Sequence, residues 1–319
     1  MSGLASRGSS APIGDYALIG DCRSAALVSR DGSLDWLCWP RFDSPSLFAA
    51  LLDAERGGRF QIRPIGPYQT ARHYLPETNV LETIFHTPDG VVALRDLMPV
   101  TSEAAKRAEL LPEHELLREV EGVAGTVALA IIYEPRPDYG RVRPALDDRG
   151  AFGLRCNLPD AALLLRSEAA LAVTPDGSGA GGVARIGAGD RVAFSLSYAA
   201  DAPLAAAPLG DAVRARIARS VAWWRAWAAH CAYQGPYRDA VVRSALVLKL
   251  MAYAPSGAIV AAPTTSLPER LGGVRNWDYR YCWLRDASFT LRALLALGYR
   301  LEADAFLSWM LHATRLTWP

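Results

Sequence analysis

The sequence has no strong excess of charge of either sign. Its 34 basic and 33 acidic residues leave a formal net charge of +1, and the basic residues form no continuous run. A protein that binds nucleic acid or an anionic membrane surface through its charge needs a basic patch. The composition therefore predicts neither a nucleic-acid partner nor a membrane partner.

Long apolar runs and paired cysteines are also missing. There is no stretch of about 18 apolar residues, and residues 1–12 lack the apolar core of a secretory signal, so we expect a cytoplasmic protein. The five cysteines are odd in number and show no CxxC spacing, and the five histidines fit no pattern of metal ligands. We therefore expect reduced core thiols, no metal and no cofactor.

What the sequence does contain, from about residue 15 to residue 205, is a series of short apolar runs separated by turn dipeptides. Asp31-Gly32 and Asp176-Gly177 mark two of these turns. The clearest predicted hairpin turns at Asp89-Gly90, since Asp-Gly supplies the positive φ of a tight turn. Without alternating helices, this pattern predicts an antiparallel β-sandwich rather than a parallel α/β sheet.

Helical periodicity replaces the strand pattern after the Ala- and Pro-rich segment that ends at Gly210. Apolar residues then recur at helical spacing, which predicts a connecting helix followed by three more. The predicted helices span residues 211–229, 236–253, 284–297 and 302–314.

The densest group of residues suited to chemistry is the segment 276–286, called the aromatic segment below. It holds four aromatic residues, two arginines and two aspartates. Sugar sites use this mixture, because a pyranose ring packs its C–H groups on an aromatic face while a carboxylate beside a guanidinium holds two neighbouring hydroxyls. Tyr279 and Trp283 are candidates for the face, and Arg285 and Asp286 for the polar pair. An equally open interpretation is that Asp286 stabilises a helix start and the aromatics fill the core.

The aromatic segment resembles the opening of the catalytic domain in glycoside hydrolase family 15, which includes glucoamylases, glucodextranases and bacterial trehalases. The resemblance lies in the pattern Tyr-x-Tyr-x-Trp-x-Arg-Asp over residues 279–286 and in the preceding turn at residues 257–263. It implies that Tyr279 and Trp283 line the sugar site, and that Arg285 and Asp286 bind the terminal glucose. Further motifs of the bacterial members lie at residues 13–21, 31–45, 78–83 and 135–140.

The family resemblance also implies an architecture, a β-sandwich followed by the first helices of an (α/α)6 barrel that is incomplete in this chain. The expected domains are a β-sandwich over residues 1–205, a linker helix over 206–234 and the truncated start of the barrel over 235–319. The exposed apolar faces of an unfinished barrel predict self-association.

Family members hydrolyse with inversion, using one glutamate as the acid and a second as the base. Both glutamates follow the aromatic segment at a distance in the family, so we expect them beyond the end of this chain and assign no catalytic residue here. Three hypotheses stay open. The protein is an inverting hydrolase of terminal α-linked glucose in maltodextrin, dextran or trehalose, an inverting disaccharide phosphorylase of similar architecture, or a non-catalytic carbohydrate-binding fragment.

Three other positions carry side chains of ambiguous role. Residues 41–43 either form a loop that reaches the sugar site or, as we favour, a turn whose Asp-Ser-Pro starts a helix at Ser46. Arg136 and Asp138 are expected to form a structural pair. Glu269 is expected to be a solvated loop residue.

Overall fold

The computed structural model describes residues 11–200 and 204–317 of the 319-residue chain. Antiparallel strands come first and several helices follow, as the sequence predicts. The strands are β1 (Ala17–Gly20), β2 (Ala25–Val28), β3 (Ser33–Cys38), β4 (Ser46–Phe48), β5 (Arg59–Pro64), β6 (Gln69–Tyr74), β7 (Leu81–Thr87), β8 (Gly90–Leu97), β9 (His114–Glu134), β10 (Leu146–Asp148), β11 (Leu154–Leu158), β12 (Ala161–Ser167), β13 (Ala172–Val173), β14 (Ala180–Gly187) and β15 (Arg191–Ala199). The helices are α1 (Glu103–Glu109), the single turn α2 (Pro137–Gly140), α3 (Asp211–Ala228), α4 (Arg238–Leu250), α5 (Leu284–Ala296) and α6 (Arg300–Thr317).

Two antiparallel sheets share the 21-residue strand β9. Its first part pairs with β8 and β15, and its last part pairs with β5 and β14. Gly122 and Gly125 lie where the strand passes from one sheet to the other. A Cβ on Gly122 would lie 1.9 Å from the carbonyl oxygen of Gly187, and Gly125 has a φ of 64°. Gly122 therefore leaves no room for a side chain, whereas Gly125 needs the left-handed conformation that glycine adopts most easily.

The core between the two sheets is apolar and rich in aromatic rings, as expected of a β-sandwich. Phe60 packs edge-on against Tyr133 at 5.5 Å and against Phe194 at 6.0 Å. Within this core, Arg118 and Asp96 form an ion pair of 2.7 Å in which both side chains are fully buried. Such a pair is tolerated because each charge has its partner.

Helix α3 fixes the helical part to the outside of the sandwich. Its Val213 and Ile217 pack on apolar side chains from the loop before β7, from β8, β9 and β15, namely Val80, Leu97, Leu117 and Ala193. Further along, Trp224 of α3 joins Leu246 of α4 and Leu294 of α5 in a second apolar cluster.

The last two helices keep many apolar side chains exposed, among them Phe289, Leu295, Leu301, Leu307 and Leu311. Self-association through them stays a prediction.

The predicted turns lie where expected, although one of them has a different cause. Gly32 and Gly177 have φ values of 70° and 71°, as an Asp-Gly turn requires. At Asp89-Gly90, by contrast, Gly90 is not among the positive-φ glycines; it starts β8, and its absent side chain leaves room for the carbonyl oxygen of Ala124, 2.3 Å from where a Cβ would lie. The hairpin is therefore confirmed, but the reason given for its glycine is wrong.

The predicted helices agree with the structure to within a few residues, except at Ser46. Helix α4 starts at Arg238 rather than at residue 236, because Tyr237 has a left-handed φ of 63°. No helix starts at Ser46, where the chain forms β4 and pairs with β3. Burial of Leu47 and Phe48 in the core outweighs the local preference of Asp-Ser-Pro for a helix start. The expected domain boundaries stay a prediction.

Candidate functional site

The aromatic segment runs extended beside the stretch that precedes it. The Ala262 N–H donates to the Tyr279 carbonyl at 2.9 Å, and the Ser266 N–H donates to the Trp277 carbonyl at 2.8 Å. An extended chain directs successive side chains to opposite faces. Accordingly, Trp277 is 46% exposed while Arg280 is only 7% exposed.

The side chains of Tyr279 and Trp283 are in direct contact. Their rings pack edge to face at 5.3 Å, and Trp277 packs edge to face on Trp283 at 6.4 Å. The Trp283 indole N–H donates to the carbonyl of Asp278 at 3.0 Å, which fixes the ring in place. The three rings form one continuous aromatic group, and the indoles keep part of their surface accessible.

Arg285 and Asp286 follow at once, in the first turn of α5. The Arg285 guanidinium lies 3.3 Å from the Asp286 carboxylate, and the two side chains are 68% and 36% exposed. A carboxylate in the first turn is favoured by the helix dipole. Their exposure leaves both side chains with free hydrogen-bonding capacity. Within the described residues, no hydrogen bond or ion pair joins this pair to Tyr279 or Trp283; only the backbone at Leu284 connects them.

Arg280 anchors the aromatic segment to the β-sandwich, a role that the sequence analysis missed. Its guanidinium pairs with Asp278 at 2.7 Å and donates to the Ser44 carbonyl at 3.0 Å. It also lies 5.7 Å from the Tyr139 ring centroid and 6.0 Å from that of Trp36. The sequence signal for this role was the alternation from Trp277 to Trp283, where aromatic residues occupy the odd-numbered positions. In an extended chain, the even-numbered side chains then lie on the opposite face, which here is the buried one.

The charge of Arg280 determines the state of its neighbour. Burial alone would raise the pKa of Asp278, but hydrogen bonds from the side chain and backbone N–H of Arg280, together with its charge, hold that pKa below its ordinary value. The stretch that precedes the aromatic segment is also anchored to the sandwich, because the Trp36 indole N–H donates to the Pro263 carbonyl at 2.9 Å. The sandwich therefore holds both the aromatic segment and the stretch before it in position.

Of two secondary expectations, the structure bears out one and corrects the other. Glu269 is exposed, as expected, but it accepts a hydrogen bond from the Trp277 indole at 3.2 Å and lies 3.5 Å from Arg275. The pairing of Arg136 with Asp138 is wrong. Arg136 donates to the Ser178 carbonyl at 2.7 Å, because Asp138 adopts a left-handed turn that directs it to Arg141 instead.

Metal-ligand clusters and membrane-spanning helices are not found in the part of the chain that the structure describes. No group of three or more His, Cys, Asp or Glu side chains there is arranged to hold a metal ion. No described helix combines the length and the apolar character needed to cross a bilayer. The five cysteines are free thiols, and four of them are buried.

Comparison with known proteins gives two family matches along the chain. Residues 5–219 match the family described as "Trehalase-like, N-terminal", and residues 235–317 match "Glycosyl hydrolases family 15". The first match covers the strands and the first half of α3, and the second covers the aromatic segment and the helices around it.

Curated relatives agree with these matches. The trehalase of Mycolicibacterium smegmatis is 39% identical over 318 residues, which cover 94% of this chain and 47% of that protein. The trehalase of Mycobacterium tuberculosis is 38% identical, with 94% and 46% covered, and that of Thermoplasma volcanium is 34% identical, with 92% and 46% covered. The chain thus spans about half the length of the curated relatives it matches. The family matches, together with the fold, show that the chain belongs to the trehalase-like proteins of glycoside hydrolase family 15.

Proposed function

We propose that this chain binds the terminal α-linked glucose of a glucoside, as the substrate-holding part of an inverting glycosidase of the glucoamylase, glucodextranase or trehalase type. The observation that carries the proposal is the arrangement at the start of α5. There an indole fixed by its own N–H bond is followed within three residues by an exposed guanidinium–carboxylate pair. Tyr279, Trp283, Arg285 and Asp286 are the proposed binding residues.

Each proposed residue suits a different part of a glucose ring. The accessible parts of the half-buried Trp283 indole and Tyr279 phenol accept the axial C–H groups of the ring. The Asp286 carboxylate accepts hydrogen bonds from two adjacent hydroxyls, while Arg285 donates to their oxygens. A hydrogen bond to a charged group contributes about 1.5–3 kcal/mol, so this pair is expected to supply much of the affinity.

Trehalose is the substrate that the comparisons favour among the three α-glucosides. The three relatives compared above are named trehalases. The proposed site alone does not distinguish the three substrates, because it would bind the terminal α-glucose that all of them share. Trehalose carries such a glucose at both ends. It is therefore the ligand of choice for the first binding experiments.

The proposed chemistry is inversion, in which one carboxylic acid protonates the leaving oxygen and a second carboxylate activates water about 6.5–9.5 Å away. We assign neither role to the carboxylates of the aromatic segment. Asp278 is held ionised by Arg280, whereas a general acid must start the reaction protonated. Asp286 is assigned to binding, because its accessible carboxylate lies beside Arg285 and keeps free hydrogen-bonding capacity.

Calorimetric titration with trehalose tests the proposed site. Asp286→Ala is expected to weaken binding by about tenfold or more, because each lost hydrogen bond to a charged group contributes at least about 1.5 kcal/mol. The control is Asp304→Ala, the same change at an exposed aspartate on α6. Equal affinities of wild type and Asp286→Ala would remove Asp286 from the site.

A further inference from the structure

A turn of the β-sandwich, residues 41–44 between β3 and β4, lies directly against the aromatic segment. The turn is closed by two hydrogen bonds, from the Ser44 N–H to the Arg41 carbonyl at 3.2 Å and from the Arg41 N–H to the Ser44 hydroxyl at 3.1 Å. This is the segment that local sequence preference assigns to a helix start. The turn that it forms instead is therefore determined by contacts with distant parts of the chain.

Contacts from two sides hold this turn in place. Arg280 donates to the carbonyl of Ser44 at 3.0 Å. Phe42 is 3% exposed and packs in an apolar cluster with Leu250 and Val260, with its ring 6.4 Å from that of Tyr253. The turn is thus fixed between the aromatic segment and the end of α4.

With Phe42 buried, the residues on either side of it are presented to solvent. The Arg41 guanidinium lies 3.0 Å from the Asp43 carboxylate, and the side chains are 56% and 29% exposed. The hydrogen bond and charge of Asp43 raise the pKa of Arg41, and the nearby phenols of Tyr253 and Tyr281 contribute in the same direction. Tyr281, itself 52% exposed, belongs to the aromatic segment.

We infer that Arg41 and Asp43 form a second sugar-binding pair, contributed by the sandwich, which binds the hydroxyls of the sugar unit next to the terminal glucose. The inference rests on the proposed function, in which Arg285 and Asp286 bind the terminal glucose. Both pairs combine a planar donor with a carboxylate acceptor; the first lies at the end of the aromatic segment, and the second is on the turn that packs against this segment. Tyr281 offers a ring face beside the second pair.

The pair is suited to binding rather than to stabilising the fold. A surface ion pair between residues two apart contributes little to stability, because solvent screens it in the folded protein. Its carboxylate and guanidinium nevertheless keep free donors and acceptors for a polyol, without the cost of a buried charge. Loss of the pair should therefore change affinity and leave the unfolding temperature unchanged.

The test compares a disaccharide with a monosaccharide on the 319-residue chain. Calorimetry would give the dissociation constants of trehalose and glucose for wild type, Arg41→Gln and Asp43→Asn. Both variants are expected to bind trehalose about tenfold more weakly and glucose within about twofold of wild type, with partial recovery in Arg41→Lys. The matched control is Arg30→Gln, whose pair with Asp15 is 2.8 Å long with exposures of 56% and 35%; it should change neither constant.

The outcomes separate the inference from the proposed function. Unchanged trehalose affinity in Arg41→Gln, or an equal loss for both sugars, would overturn the second binding pair while wild-type binding still supports the first. A wild-type chain that binds neither sugar would contradict the proposed function itself, and the inference with it.

Discussion

The Asp278 carboxylate and the Arg280 guanidinium, both in the aromatic segment, lie 2.7 Å apart, and this ion pair holds the guanidinium that links the segment to the β-sandwich. Arg280 continues the link to the Ser44 carbonyl and to the Cys38 thiol, at 3.0 Å and 3.4 Å. The sandwich therefore positions the residues proposed to bind sugar.

Removing the guanidinium should destabilise this junction. Arg280→Met leaves the partly buried Asp278 without its counter-ion, and we expect the free energy of unfolding to fall by about 3 kcal/mol. Urea unfolding followed by tryptophan fluorescence measures this loss. The control is Arg275→Met, whose pair with Glu269 is 75% and 52% exposed, so its loss should be below about 1 kcal/mol. Equal losses would contradict the anchoring role.

Glu302 should make the packing of the helices sensitive to acid. It accepts the Trp227 indole N–H at 2.7 Å and pairs with Lys249 at 2.9 Å. Burial alone would raise the pKa of Glu302, but the charge and hydrogen bond of Lys249 and the indole hydrogen bond hold it below its ordinary value. Because the folded pKa is the lower one, this stabilisation is complete above the unfolded value of about 4.3 and is lost as the pH falls through the folded pKa.

Glu302→Gln tests this pH dependence. Thermal unfolding between about pH 6 and pH 3 should show a smaller acid-induced loss of stability in the variant than in wild type. Glu55→Gln, a change on an exposed loop, is the control and should follow the wild-type curve. Parallel curves for Glu302→Gln and wild type would refute the prediction.

The crossing of β9 between the sheets should not tolerate a side chain. Gly122→Ala brings a Cβ to within 1.9 Å of a backbone oxygen, so we expect a loss of about 3 kcal/mol in urea unfolding, or failure to fold. Gly14→Ala is a fair comparison, because nothing lies within 4 Å of its Cβ position. A Gly122→Ala protein as stable as Gly14→Ala would show that β9 does not cross as described.

Features that depend on local pattern could be predicted from the sequence. The hairpin turning at Asp89-Gly90 and the helix starting at Leu284 follow from turn residues and periodicity that lie within a few positions. The aromatic segment was identified in the same way. Tyr279 and Trp283 are brought together by the structure, while their role in binding stays a proposal.

Features that depend on distant residues could not be predicted. Ser44 and Cys38, the partners of Arg280, lie 236 and 242 positions away in the chain. Gly122 is recognisable as a crossing point only once Gly187 is placed beside it. Ser46 is in a strand because the chain pairs with β3 there and buries Leu47 and Phe48 in the core. The residues next to Ser46 in the sequence do not indicate these contacts.

Binding without turnover is expected of the 319-residue chain. The Asp278 carboxylate of the aromatic segment is already paired with Arg280, whose hydrogen bonds and charge hold its pKa below the ordinary value and favour the ionised form over the protonated acid. Glucose release from trehalose should stay at background in buffers with and without phosphate. Release in both buffers would contradict this account, and a sugar phosphate formed only with phosphate would favour the phosphorylase alternative.

The central claim is that the chain binds terminal α-linked glucose, and the most direct measurement is a calorimetric panel of glucose disaccharides. Trehalose, maltose and isomaltose carry an α-linked terminal glucose, whereas cellobiose carries a β-linked one. The account predicts binding of α-linked sugars, with cellobiose at least about tenfold weaker because its second ring leaves C1 in another direction. Equal binding of cellobiose, or no binding of any α-linked sugar, would contradict it.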